Sequence, residues 1–116
     1  MAESPDAADD GESTTVSVVV PYSPAHTPED IFEDAMDTAR SQSVSTELVI
    51  VEDTDQRGPS WARNRGLERA DTRYIALLDA DDYWHEGKLE RQLAEMRSTG
   101  AGICVEAGDI GQQAFF

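Results

Sequence analysis

Lysine is almost missing from this sequence: Lys88 is the only one, and eight of the nine basic residues are arginine, against 24 aspartates and glutamates. The resulting formal charge of −15 excludes nucleic-acid or anionic-membrane binding through general electrostatic attraction. The Lys-poor, Asp-rich bias resembles proteins of salt-loving organisms, where dense salt screens self-repulsion. Cysteine is as scarce. Cys104 stands alone, so no intrachain disulfide can form, and a lone thiol in an apolar stretch reads as a small buried hydrophobe. Long apolar runs are lacking as well. The run from Val16 to Tyr22 is far shorter than the roughly 20 residues that cross a bilayer, and no basic-then-apolar leader opens the chain. Together these absences point to a soluble, cytoplasmic protein. His26 and His85 have no further His or Cys at zinc spacing and read as loop histidines.

What is present is a composition of 39% hydrophobic and 28% charged residues over 116 positions, which suits one soluble globular domain. Residues 1–14 carry Glu3, Asp6, Asp9, Asp10 and Glu12 without a basic side chain or apolar periodicity. They read as a disordered acidic tail ahead of a domain over residues 15–116. Val16 to Val20 form a β-branched run that Pro21 is expected to end. Thr27 reads as an N-cap with Pro28 at the first helical position, and Ile31, Phe32, Ala35, Met36 and Ala39 then recur at helical spacing.

Leu48 to Val51 and Tyr74 to Leu78 read as further strands, each closed by acidic residues. Between them Ser60 is a plausible N-cap for a helix reaching about Ala70, with Trp61, Ala62 and Leu67 partly buried. Leu89, Leu93 and Met96 space another helix that stops near Gly100, and residues 102–105 suggest a fourth strand. Near-continuous apolar strands alternating with helices predict an α/β fold, a Rossmann-like three-layer α/β/α arrangement around a mostly parallel sheet. In such sheets ligands bind beyond the carboxyl ends of the strands. Pro21 with Tyr22, Asp53, and Asp79 with Asp81 all follow strand ends and should meet along one edge.

Leu77-Leu78-Asp79-Ala80-Asp81-Asp82 sets a D-x-D spacing just outside a strand. Carboxylate oxygens suit magnesium or manganese, hard cations that keep several waters and are completed by substrate phosphates. Alone, D-x-D is a weak pattern in so acidic a chain. Phosphates would also be repelled by this surface unless arginines or a divalent cation reversed the local field.

Four ordered motifs give the context: Val18-Val19-Val20-Pro21-Tyr22, Leu48-Val49-Ile50-Val51-Glu52-Asp53, Gly58-Pro59-Ser60-Trp61-Ala62-Arg63-Asn64-Arg65-Gly66-Leu67, and Leu78-Asp79-Ala80-Asp81-Asp82. The series resembles the N-terminal, nucleotide-sugar-binding half of the family-2 glycosyltransferases of GT-A fold, over about residues 16 to 105. The resemblance places Pro21 and Tyr22 beside the nucleotide base, with Ser23 a weaker candidate. Asp53 would accept a hydrogen bond from the base, typically uracil, with Glu52 as its acidic predecessor. Arg63 would contact the phosphates, Asp79 the ribose and Asp81 the metal, with Asp82 capping the following turn or acting as an outer-shell ligand. Gly66 would permit close helix-to-sheet packing. After Asp53 the family has a short Gly-Ser-Thr-Asp-like turn where this chain reads Thr54-Asp55-Gln56-Arg57, which leaves the base open. Trp61, Tyr83 and Trp84 read as packing aromatics.

The reaction this implies is inverting sugar transfer from a nucleoside-diphosphate sugar to an acceptor hydroxyl, assisted by a divalent cation, manganese or magnesium. The family's catalytic base and acceptor-binding elements would lie downstream of Phe116, so residues 15–116 read as a partial GT-A domain with no catalytic residue assigned. An exposed apolar patch, covered by self-association or by a partner, is the packing consequence. A nucleotide-sugar-binding module without activity is the alternative. Two rivals fit less well. A haloacid-dehalogenase-like phosphatase wants Thr or Val where Tyr83 stands, and a receiver domain wants its lysine after a late strand, whereas Lys88 falls in an expected helix.

Overall fold

The computed structural model describes residues 14–102. Its elements in chain order are β1 (Thr15–Tyr22), α1 (Glu29–Arg40), β2 (Ser45–Glu52), α2 (Pro59–Arg69), β3 (Tyr74–Leu77) and α3 (Lys88–Thr99). The fourth strand expected after residue 102 and the acidic stretch before Thr14 lie outside the described residues. Thr14, read as the end of that tail, is buried, and its hydroxyl accepts a hydrogen bond from Arg97 Nη2 at 2.8 Å.

The three strands form a parallel sheet in the order β2-β1-β3, the arrangement expected of apolar strands joined by helical crossovers. β1 is central. Its pairing with β2 runs from Thr15 opposite Ser45 to Tyr22 opposite Glu52, whereas its pairing with β3 stops at Val19 opposite Leu77. Pro21 therefore does not end the strand, as the sequence reading expected. The carbonyl of Val19 accepts the Leu78 N–H, while that of Tyr22 accepts the Asp53 N–H. Alternation along the strand turns the backbone of Pro21 toward the β3 side, where pairing has already ceased and no ladder N–H is missed.

Alternate residues of β1 serve opposite layers. Val16, Val18, Val20 and Tyr22 pack with Phe32, Ala35, Met36 and Ala39 of α1 and with Leu89 and Leu93 of α3. Complete burial of one such aliphatic side chain is worth about 1.5–3 kcal/mol. On the other face Val19 meets α2 at Gly66, and Ala62 of the same helix is also buried. The result is the expected three-layer α/β/α stack. α2 lies over β1 and β2, and Ile75 and Leu77 of the edge strand β3 remain 42% and 51% exposed.

Two helix starts differ from the sequence reading. α1 begins at Glu29 with Pro28 as its N-cap, because the first helical hydrogen bond, from the Phe32 N–H, is accepted by the Pro28 carbonyl, and Thr27 falls in the preceding turn with its N–H on the Ser23 carbonyl. α2 begins at Pro59 rather than after Ser60. Gly58 takes the N-cap position with φ of 108°, a conformation that favours glycine, and Pro59 needs no N–H partner at the first helical position.

Candidate functional site

Parallel pairing brings the carboxyl ends of all three strands to one edge. The chain leaves β1 for β2 on one side and returns to β3 on the other, so the ends of β1 and β3 mark the switch in strand order beside which open α/β sheets accept ligands. Tyr22 closes β1 at this edge, but its ring turns inward and stacks on Phe32 with centroids 3.9 Å apart. Burial, and then Glu29, Glu52 and Glu33, push the Tyr22 phenol above its ordinary pKa, so it remains a proton donor at neutral pH. Pro21 is half-buried beside it.

Asp53 follows β2 and is only 6% exposed. Its Oδ1 accepts the Arg57 N–H and its Oδ2 the Gly58 N–H, both at 2.8 Å. One carboxylate thereby closes the loop that carries Gln56 at φ 54° and delivers the chain into α2. Each oxygen retains a second lone pair for a ligand donor. The loop also positions Arg57, whose guanidinium lies 5.1 Å from the Trp61 ring centroid, with Arg65 at 6.0 Å from the same ring. Trp61 is thus a platform for two cations.

Beyond β3 the D-x-D spacing has a packing cause. Leu78 and Ala80 are buried, so the alternating residues Asp79 and Asp81 face outward. The Asp82 N–H donates to the Asp79 carbonyl at 3.0 Å and tightens the turn. Arg63 reaches this turn from α2: its Nη2 lies 3.2 Å from Asp79 Oδ1. Asp81 has no hydrogen bond or ion pair among the described residues. Burial, followed by the charges of Asp79 and Asp81, raises the Asp82 carboxyl above the ordinary aspartate range.

Of the residues singled out in the sequence, Arg63 and Asp79 are therefore in contact, with Asp81 on the same turn. Asp53 sits at the end of the neighbouring strand as a loop clamp, and Tyr22 belongs to the core as much as to the site. Among the described residues no group of three or more His, Cys, Asp or Glu side chains is arranged to hold a metal ion by itself. The outward carboxylate of Asp81 is a hard oxygen donor of the kind that magnesium or manganese takes, with the remaining positions left to water and ligand phosphates.

Sequence reasoning missed Gln42. It follows α1, is buried, and its Nε2 donates to the Thr38 and His85 carbonyls at 3.1 and 3.0 Å while its Oε1 accepts the Leu89 N–H at 3.1 Å. With Thr38 Oγ1 accepting the Trp84 N–H, it fixes the segment that leads from the acidic turn into α3. No periodicity or motif marks such a residue.

The family described as glycosyl transferase family 2 matches residues 17–115 of this chain. The chain belongs to that family. Among curated relatives, a Bacillus subtilis protein named as a teichuronic acid biosynthesis glycosyltransferase is 42% identical over 55 residues, covering 47% of this chain and 22% of its own length. The succinoglycan biosynthesis protein ExoO of Rhizobium meliloti is 41% identical over 54 residues, 47% of this chain and 16% of that protein. An Escherichia coli UDP-Glc:alpha-D-GlcNAc-diphosphoundecaprenol beta-1,3-glucosyltransferase, WfaP, is 37% identical over 51 residues, 44% of this chain and 20% of that enzyme. The aligned part is thus about a fifth of these relatives' length. No solved structure gives a significant match. Its α/β fold with a parallel sheet agrees with the GT-A architecture expected of a family-2 member. Among the described residues no helix is long and apolar enough to cross a membrane.

Proposed function

We propose that this chain binds the nucleoside-diphosphate sugar donor of an inverting glycosyl transfer, through the edge formed by Tyr22, Asp53, Arg63, Asp79 and Asp81. The observation that carries the reading is the meeting of Arg63 and Asp79 beside Asp81, outside the end of a parallel strand. It sets a cation and two outward carboxylates where an open α/β sheet accepts ligands. Asp53 and Pro21 are assigned to the base, Asp79 to the ribose, Arg63 to the phosphates and Asp81 to the metal. A bound magnesium or manganese ion would neutralise the charge that develops on the departing diphosphate. Arg63 supplies charge-assisted hydrogen bonds to the same oxygens, and the Asp53 clamp holds the rim of the site. Uridine is the first base to test, because the name of the E. coli relative specifies a UDP-sugar donor.

No residue is assigned as the base that deprotonates the acceptor hydroxyl. The second reading is that the chain binds the donor without turning it over. Titration calorimetry with uridine and guanosine diphosphates, with and without manganese, tests both readings. Manganese-dependent binding that Asp81→Asn abolishes is the expected result. Unchanged nucleotide and metal binding by that variant would refute the ligand assignment. Release of free sugar or transfer to an added acceptor would separate the catalytic reading from the binding one.

A further inference from the structure

Arg63 and Asp79 have each been given a partner in the donor complex, yet in the structure they hold one another, Nη2 to Oδ1 at 3.2 Å. Their side chains are 37% and 52% exposed, so the pair belongs to the weak, solvent-screened kind that exchanges readily. A guanidinium held on Asp79 and a divalent cation on Asp81 of the same turn would repel each other. α2 is locked to the sheet at Gly66 and Val19, so exchange needs motion of the Arg63 side chain only.

We propose that Arg63 is an exchangeable counter-ion of the acidic turn: it neutralises Asp79 in the metal-free protein and is handed over to the donor diphosphate when a divalent cation binds at the neighbouring Asp81 and Asp79 is left to the ribose. The inference rests on reading the turn as a metal-diphosphate site and adds an order of events to it. In a chain of formal charge −15, Arg63 thereby compensates one carboxylate, that of Asp79, of a turn that also carries Asp81 and Asp82 before ligand arrives. The donor meets a cation released only once the metal is present, so metal and diphosphate favour each other's binding.

The handover gives one substitution two effects of opposite sign. In the full 116-residue chain, Arg63→Gln should bind manganese alone more tightly, by roughly two- to fivefold, since a weakly held cation that repels the ion is lost. The same variant should bind uridine diphosphate in saturating manganese more weakly. Arg63→Lys, which keeps the charge, should restore manganese affinity toward the wild-type value. The free-manganese paramagnetic resonance signal gives the first quantity and calorimetry the second, with circular dichroism to verify an unchanged fold. Manganese affinity that Arg63→Gln leaves unchanged or lowers overturns the exchange while leaving the site reading intact. A wild-type chain that binds no manganese, even with uridine diphosphate, overturns the site reading and the exchange together.

Discussion

Gly66 of α2 lies so close to Val19 of the central strand that a Cβ at position 66 would collide with the Val19 side chain. Alanine is the better helix former by about 1 kcal/mol, yet Val19 is fully buried and cannot yield. Gly66→Ala should therefore destabilise the fold by about 1–3 kcal/mol, the usual cost of overpacking, measured as a lower urea midpoint. Val19→Ala in the same chain should recover part of that loss, a coupling that contacting residues show and distant ones do not. Strict additivity of the two substitutions would mean that α2 has shifted outward instead.

Asp53 offers a second test. Both its oxygens accept backbone N–H groups, so Asp53→Ala leaves two donors without partners at a cost of about 1–3 kcal/mol. Faster amide hydrogen exchange at Arg57 and Gly58 should accompany the loss. Asn at this position keeps one acceptor oxygen and should fall between the two. Unchanged protection at both amides would show that the loop holds its shape without the clamp.

Gln42 joins three segments through one amide, with donors to the Thr38 and His85 carbonyls and an acceptor for the Leu89 N–H. Gln42→Leu fills similar space but leaves the Leu89 N–H unsatisfied and takes one of its two donors from the His85 carbonyl, which keeps the Lys88 N–H. A stability loss of about 1–3 kcal/mol is expected, with the first turn of α3 exchanging its amide hydrogens fastest. Equal protection of Leu89 in variant and wild type would contradict this role.

The parts of the fold that were legible in the sequence are those set by apolar pattern. β-branched Val16 to Val20, the helical spacing of Phe32, Ala35, Met36 and Ala39, and Gly100 beyond the last helix each indicate an element by local physics alone. The parallel pairing followed from alternation of strand and helix, whereas the strand order came only with the structure. Element ends were less legible, because they depend on neighbours. Pro21 stays in β1 only because β3 stops short beside it, and Thr27 falls in a turn that begins at Ser23, one residue ahead of the N-cap Pro28. In the site, the D-x-D spacing was readable, but its cause, the burial of Leu78 and Ala80 between outward carboxylates, needed the core. The Arg63–Asp79 contact joins residues 16 positions apart, and no local pattern records such a pairing. Gln42 acts over 47 positions on Leu89 and was invisible for the same reason.

Asp82 is the group whose titration should be felt by the fold. Burial, and then the neighbouring charges of Asp79 and Asp81, raise its carboxyl above the ordinary aspartate range, so the folded chain holds this proton more firmly than the unfolded chain does. Stability then falls as pH rises from the ordinary aspartate value through the raised one, and the penalty persists at neutral pH. Asp82→Asn removes it, so the variant should melt at a higher temperature than the wild type at pH 7 in metal-free buffer. The difference should vanish below the ordinary aspartate range, where both chains are neutral at this position. Salt separates the causes: screening weakens the Asp79 and Asp81 contributions but not the cost of burial, so the part of the gain that survives in molar salt is the part that burial causes. A gain that is constant across pH would trace to the amide's own contacts rather than to the lost charge.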